Sequence, residues 1–371
     1  MSGLYIEKAD QLKAVEDALM DAEVLYIDTE FESRRSGTEL CLLQVTDGHS
    51  AFLIDAITIQ DISRLAPIFG REGVTWVVHA GRQDIDLLMK AFRLTTRPAI
   101  FDTQVVWSLV SAEYQVSLAY LEAVVLNVRK SKGSQTSDWV RRPLSTEQLE
   151  YALGDVEDLP QIYEHLNERL THLGRPDVAL LASAESYAPR AKENERITLS
   201  SYRNLWQLDG KSQAALRILI QWYNQEGGGR GTPHWKSLFS IASAMPTTVG
   251  ELSELKGVSR DWSRKVGAGL LIEIAEVAAK VRANSNAPQS VPTPYSTFDQ
   301  HYREAWLQCA RADVSATACM APEIAFPSWL MKRLRSAILD VVELESLAEE
   351  LIGWRACLKD DWRQFCADTN P

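Results

Sequence analysis

The alternation of apolar and polar positions separates a first stretch of changing period from a second that stays helical. Residues 8–20 carry a helical period. In Val24–Phe31, four largely apolar residues run into Asp28-Thr29-Glu30, which reads as a strand buried on both faces. Ser33–Gly37 is a polar turn. Leu40–Val45 and Ala51–Asp55 are two further strands, with Asp47-Gly48 between them. That spacing predicts an antiparallel meander. From Asp61 helices and strands alternate: helix 61–69 before strand Thr75–His79, helix Asp84–Phe92 before strand Ile100–Asp102, and a helix from Gln104. Such alternation predicts crossover units and parallel strands. Helices 117–126 and 145–171, joined by the polar loop Arg129–Asp138, complete the domain. The expected fold class is α/β, a mixed sheet with helices on both faces.

The charged connector Lys192–Arg196 ends this first domain, placed at 1–192. Residues 210–281 show helical periods only, with turns at Gly227-Gly228-Gly229 and Lys256-Gly257, and define a module at 205–282. Residues 283–297 hold three prolines and no periodicity, the composition of a linker. A last helical module occupies 298–371.

Composition narrows the class. With 371 residues, 46% hydrophobic and 24% charged, the chain reads as a multidomain globular protein. No apolar run is long enough to span a bilayer and no secretory signal opens the chain, so a cytoplasmic protein without a membrane partner is expected. Five cysteines without a CxxC pair suit reduced thiols better than disulfides or zinc. The net charge of −11 argues weakly against nucleic acid, because local patches decide phosphate binding.

The candidate chemistry is a set of carboxylates. Alternation along a strand points Asp28 and Glu30 the same way, with Thr29 opposite. Two like charges there need a positive partner, and oxygen ligands suit Mg²⁺ or Mn²⁺; the competing reading is a solvated strand end. Asp84 follows the small-residue turn His79-Ala80-Gly81 near a helix N-terminus, where it could equally be a cap. Asp86, two residues on, faces elsewhere. Tyr151 and Asp155 lie one helical turn apart on one face; the alternative is a buried tyrosine satisfied by an acid.

Together, Asp28-Thr29-Glu30, Asp84 after His79-Ala80-Gly81, and Tyr151 four before Asp155 resemble the three motifs of DEDD-superfamily exonucleases, tyrosine branch. The match is closer still to the bacterial ribonuclease D family. Lys132–Ser145 looks like that family's approach to its third motif, and Phe101-Asp102-Thr103-Gln104 like another family segment. The resemblance covers roughly residues 5–180. It implies an RNase H-like fold and removal of nucleotides from a free RNA 3′ end, with tRNA precursors as the expected substrate. It also implies two divalent ions, Mg²⁺ or Mn²⁺. On this pattern Asp28 bridges both ions, Glu30 and Asp155 complete the first site, Asp84 supports the second, and Tyr151 orients the attacking water.

Further candidates for substrate contact are Phe31, by stacking on a base, with ordinary core packing as the competing reading, and His79, by touching the substrate backbone, although a histidine at a strand end is more often structural. Trp139 and Arg141, with Arg142, could meet phosphates or form an ion-paired corner. No GxxxxGK[ST] loop suggests a nucleoside triphosphate. Residues 210–280 carry nine Lys and Arg against six Asp and Glu, a net of +3. Ala214–Trp222, Met245–Leu252 and Leu255–Val258 look like a helicase-and-RNase-D C-terminal (HRDC) domain. There Lys256 and Arg260 could hold a backbone phosphate. Leu351–Arg355 resembles the closing segment of the same family, so 298–371 is expected to be a divergent second HRDC-like domain. Its net charge over 282–371, nine basic against twelve acidic residues, is −3. Two rival readings stay open: a DNA 3′→5′ exonuclease of the same superfamily, and a catalytically silent RNA-binding relative. Oligomeric state is not legible, with a monomer favoured.

Overall fold

The computed structural model describes residues 3–34, 37–129, 138–188, 197–226, 231–281, 297–338 and 343–369. The Lys132–Ser137 stretch, the Lys192–Arg196 connector, the triple-glycine turn and most of the 283–297 linker lie outside these residues. The described residues form two compact units, one of 1–189 with 302–371 and one of 190–301.

In the first unit six strands make one sheet: β1 (Gly3–Ile6), β2 (Val24–Arg34), β3 (Gly37–Thr46), β4 (Ala51–Asp55), β5 (Thr75–Val78) and β6 (Ala99–Asp102). Their spatial order is β1-β4-β3-β2-β5-β6. The pairs β2–β3 and β3–β4 are antiparallel, the meander the turn residues call for. The pairs β2–β5 and β5–β6 are parallel, as the interposed helices require. β1, four residues long, adds a parallel edge beside β4 that the sequence pattern was too short to announce.

One sheet face is covered by α1 (Leu12–Leu19) and α2 (Arg82–Ala91), whose Leu12, Val15, Leu19, Ile85 and Leu88 join Leu25, Ile27, Leu43 and Val45 in one core. After β6 comes α3 (Thr103–Trp107). Over the other face lie α4 (Thr146–Glu157), α5 (Leu159–His172) and α6 (Val178–Tyr187). The single helix expected over 145–171 is thus two, parted at Asp158 because Pro160 starts a new helix more readily than it continues one. The helix expected over 61–69 is shorter, a 3₁₀ turn at Ser63–Leu65 running into Ala66–Phe69, and a further helix that the sequence pattern did not announce precedes it. Asp55 caps a short helix at Ala56–Ile59, Gln60 turns left-handed, and the helix Ala66–Phe69 begins with a proline in its first turn.

The C-terminal helices Phe298–Thr317, Ser328–Ala337 and Lys359–Asp368 share a core with α5 and α6 through Leu307, Val314, Leu330 and Trp362. Expected as a separate module, this segment packs with the first domain. Arg355 stitches the two together. Its side chain is 2% exposed, and its Nη1 lies 2.6 Å from Glu185 Oε2 on α6. Its Nε and Nη2 donate to the carbonyls of Ala325 and Ile324, both at 2.8 Å.

The described residues of the second unit form helices and turns, without a strand. Gly210–Glu226, Trp235–Ala244 and Ala268–Lys280 enclose Leu216, Leu219, Leu238, Ile241, Trp262 and Ile274. At its Lys256-Gly257 turn, Gly257 adopts a φ of 84°, and a Cβ there would sit 2.7 Å from Ser237 Oγ. Glycine is needed on both counts.

Arg355→Ala strips the partner from Glu185 and leaves two buried carbonyls without a donor. It should lower unfolding stability by about 3 kcal/mol, read by urea denaturation; a variant as stable as the parent would refute the stitch.

Candidate active site

The period of two in β2 puts Tyr26, Asp28 and Glu30 on one face, and Leu25, Ile27 and Thr29 on the other. Asp28 pairs with Gln44 and Glu30 with Leu42; the register then slips, so that Phe31 opposes Leu40. A bulge of this kind bends the strand and re-aims the side chains beside it. α4 lies across β2, β3 and β4. Its start is fixed by a capping box: Ser145 Oγ accepts from Gln148 N at 3.2 Å, and Gln148 Oε1 from Ser145 N at 3.0 Å. This places Asp155 over the end of β2. One carboxylate oxygen from each of Asp28, Glu30 and Asp155 lies within 4.8 Å of the others. Tyr151, one turn earlier, is held against Asp155 by a side-chain hydrogen bond.

Asp84 arrives from the opposite layer. It stands in the first turn of α2, 9% exposed, and accepts a hydrogen bond on Oδ1 from the Thr29 hydroxyl, 5% exposed. Thr29, pointing away from its two acidic neighbours, is thus the tether for the fourth acid. The turn that delivers α2 is itself fixed. Ala80 has a left-handed φ of 55° and donates its N–H to Asp102 Oδ1 at 3.0 Å. Asp102 also caps α3 through Gln104 N at 2.8 Å and accepts from Tyr187 Oη at 2.5 Å. A Cβ on Gly81 would come within 2.8 Å of Val78 Cβ, so only glycine allows this approach. Asp86 is exposed and pairs with Arg97 at 3.6 Å, away from the cluster.

Burial and crowding of like charge shape the site's electrostatics. Asp28 is pushed well above the usual carboxylate range, first by desolvation, then by Asp84, Asp155 and Glu30. Glu30 is pushed up to about 8 by desolvation and then by Asp155 and Asp84. Burial also raises Asp84, although the Thr29 hydrogen bond opposes the shift. Tyr151 rises above the ordinary phenol range through burial, then Asp155, Glu30 and Asp28. All four groups favour the proton. A divalent cation held by the carboxylate oxygens of Asp28, Glu30, Asp84 and Asp155 would reverse that preference for the shifted acids and leave Tyr151 a neutral phenol, and such an all-oxygen set fits Mg²⁺ or Mn²⁺.

The other candidates fall in varied places. Phe31 is half-buried at the bulge. His79 has both ring nitrogens engaged, Nδ1 with Thr103 Oγ1 at 2.9 Å and Nε2 with the Val116 carbonyl at 3.0 Å. Burial lowers its pKa, so it works as a neutral brace and not as the substrate contact expected. Trp139 takes the packed-corner alternative: it is 3% exposed, packed 6.2 Å from the Tyr151 ring beneath α4. Arg141 is exposed and donates its backbone N–H to Asp138 Oδ1. Lys256 and Arg260 are exposed on the second unit. Arg260 opens a short helix capped by Ser259.

Arg142 resolves to the ion-paired corner. Its Nε and Nη2 reach Asp55 at 2.5 and 2.7 Å, while Nη1 and Nη2 donate to the Trp139 and Cys41 carbonyls. Asp55 is fully buried and also accepts from the Tyr5 hydroxyl. Burial alone would raise the Asp55 carboxyl, but hydrogen bonds from Arg142 and Tyr5 outweigh it and hold the group below its ordinary value. The segment feeding α4 is pinned to β3 and β4 in this way. Sequence reasoning missed Asp55, Asp102, Thr29 and Tyr187 as supports of the site. Asp55 and Asp102 did carry a signal, each being an acid that ends an apolar strand just before a helix.

Residues 4–171 match the 3′–5′ exonuclease family, and the carboxylate cluster falls inside that match. The first unit therefore contains a 3′–5′ exonuclease domain. Ribonuclease D of Sphingobium indicum is 30% identical over 68% of this chain and 67% of its own length. That of Acidiphilium cryptum is 29% identical over 95% and 90%. The crystal structure of Escherichia coli RNase D, described as an exoribonuclease involved in structured RNA processing, superposes with a TM-score of 0.64 at 25% identity, covering 99% of both chains. The chain belongs to the ribonuclease D family.

Because Glu30 titrates at about 8 when folded and at 4.5 ordinarily, the folded state binds the extra proton between those values. Its contribution to stability is full at the low end and is lost as pH rises through the window. In chelator, Glu30→Gln should flatten the fall of melting temperature with pH across that range. An unchanged slope would contradict the assigned burial of charge.

Proposed function

We propose that this chain, a 3′→5′ exoribonuclease, trims structured RNA precursors, tRNA among them, with the aid of two divalent cations, Mg²⁺ or Mn²⁺. The reading rests above all on the approach of Asp28, Glu30 and Asp155 oxygens to within 4.8 Å of one another. When bound, such a pair of cations makes the attacking water a nucleophile and stabilises charge on the leaving 3′ oxygen. The chain's own residues then supply position and electrostatics, which dominate phosphoryl transfer. Asp28 is assigned to both cations, Glu30 and Asp155 to the first, and Asp84, tethered by Thr29, to the second. Tyr151 is a neutral phenol across the physiological range, so its part is to orient the water by hydrogen bond and not to take a proton. Half-buried Phe31 is the surface on which a terminal base stacks. The basic second unit, through Lys256 and Arg260, holds phosphates farther along the RNA. Among the described residues no helix is long and apolar enough to cross a membrane, and we assign the enzyme to the cytoplasm.

Matched RNA and DNA oligonucleotides, each with a free or a blocked 3′ end, test the reading. RNA with a free 3′ end should shorten stepwise in Mg²⁺ or Mn²⁺, and chelator should stop the reaction. Asp28→Asn should abolish it, while Tyr151→Phe should lower kcat by about 10²-fold with little change in KM. Cutting of blocked RNA would indicate an endonuclease, and preferred cutting of DNA the rival exonuclease. Full activity in Asp28→Asn would overturn the assigned chemistry.

A further inference from the structure

Gln44 is a polar break in the apolar strand Leu40–Val45, and its side chain is fully buried. Among the described residues neither its Nε2 nor its Oε1 has a hydrogen-bond partner. A carboxamide in that state forfeits its hydration and receives nothing in return, so it invites a partner that arrives later. Its neighbours narrow the choice. On β3 it stands directly across the ladder from Asp28 on β2 and from Leu53 on β4. Directly paired residues share a face, with Cβ atoms about 5 Å apart. Glu30, paired with Leu42 two residues back, is the diagonal neighbour on that face. α4 covers this face, presenting the buried, apolar Ala152 and Val156. Leu53 and Leu42 offer no acceptor, and the carboxylate of Asp55, paired with Leu42, is already taken up by Arg142, Tyr5 and the helix it caps. The acids at the end of β2 offer one.

We propose that Gln44 is a positioning residue for the acidic site: its carboxamide N–H orients the Asp28 carboxylate when that group captures a divalent cation. Ligand carboxylates are commonly held this way by a donor that does not touch the ion, and such donors tune affinity. This inference rests on the reading of Asp28 as a metal ligand. It explains why a costly amide occupies a position where a leucine would pack without penalty.

The test separates metal capture from folding by pairing Mn²⁺ calorimetry with thermal melting in chelator. Gln44→Leu removes the unpartnered amide, so in chelator it should melt at or above the parent. Its Mn²⁺ affinity should fall by about 10- to 100-fold, and the rise in melting temperature on adding Mn²⁺ should shrink. Gln44→Met, unbranched and of similar length, gives the same readouts should the leucine variant pack poorly. Parental Mn²⁺ affinity, within about twofold, in either folded variant would overturn the proposal. So would a fall in the chelator melting temperature that accounts for the lost binding, since Gln44 would then be an ordinary packing residue. Asp28→Asn is the separate control: it should lose Mn²⁺ binding altogether. If it keeps parental affinity, the metal reading itself fails and the Gln44 proposal falls with it.

Discussion

Like charge crowded at one end of β2 is the constraint around which this molecule is organised. Asp28, Glu30 and Asp155 bring oxygens within 4.8 Å of one another, and Asp84 is close enough to add to the burden on Asp28. Water would screen such a group, but here burial weakens that screening, and Asp28, Glu30 and Asp84 answer by holding their protons more tightly. An arrangement that costs stability in this form gains its reason from what it can bind. Divalent cations, if held by these oxygens, would neutralise the acids and supply positive charge where a phosphodiester reacts.

Holding repelling groups together takes a scaffold stiffer than the repulsion, and the chain supplies it from both faces of the sheet. On one side, α4 is locked over β2, β3 and β4 by the Ser145 capping box and by Arg142 buried against Asp55. On the other, α2 is delivered through a left-handed turn whose Ala80 amide is held by Asp102, which Tyr187 holds in turn. Thr29 joins the two layers, because the alternation that aims its neighbours at α4 aims it at Asp84. The C-terminal helices extend this frame by sharing the core behind α5 and α6, with Arg355 fixed to Glu185. The ribonuclease D family is thus expressed here as a site braced from two layers.

Much of this was legible before any coordinates. Periodicity marked the meander and the parallel strands, because buried strands read as apolar runs and their turns carry Asp47-Gly48 or a helix. The four acids and Tyr151 were legible as a set, since family spacing links positions that no local pattern connects. What escaped falls into two kinds. A helix end was misjudged at Asp158, where a proline overrides a continuing apolar period, and the short helix Ala56–Ile59, closed by the left-handed Gln60, was missed. The supports of the site escaped because their work is long-range. Nothing near Arg142 says that its partner lies at Asp55, and nothing near Tyr187 says that it meets Asp102. His79 and Trp139 had both a substrate role and a structural one open, and their contacts favour the structural one. A polar or aromatic group beside a catalytic motif invites a substrate role, yet tertiary packing consumed both rings.

Diffraction at the manganese edge from crystals grown with Mn²⁺ would test the central claim most directly. Two anomalous peaks about 3.5–4 Å apart are expected at the end of β2, one among Asp28, Glu30 and Asp155 and the other toward Asp84. Absence of density there at saturating Mn²⁺, or ions bound only elsewhere on the surface, would contradict it.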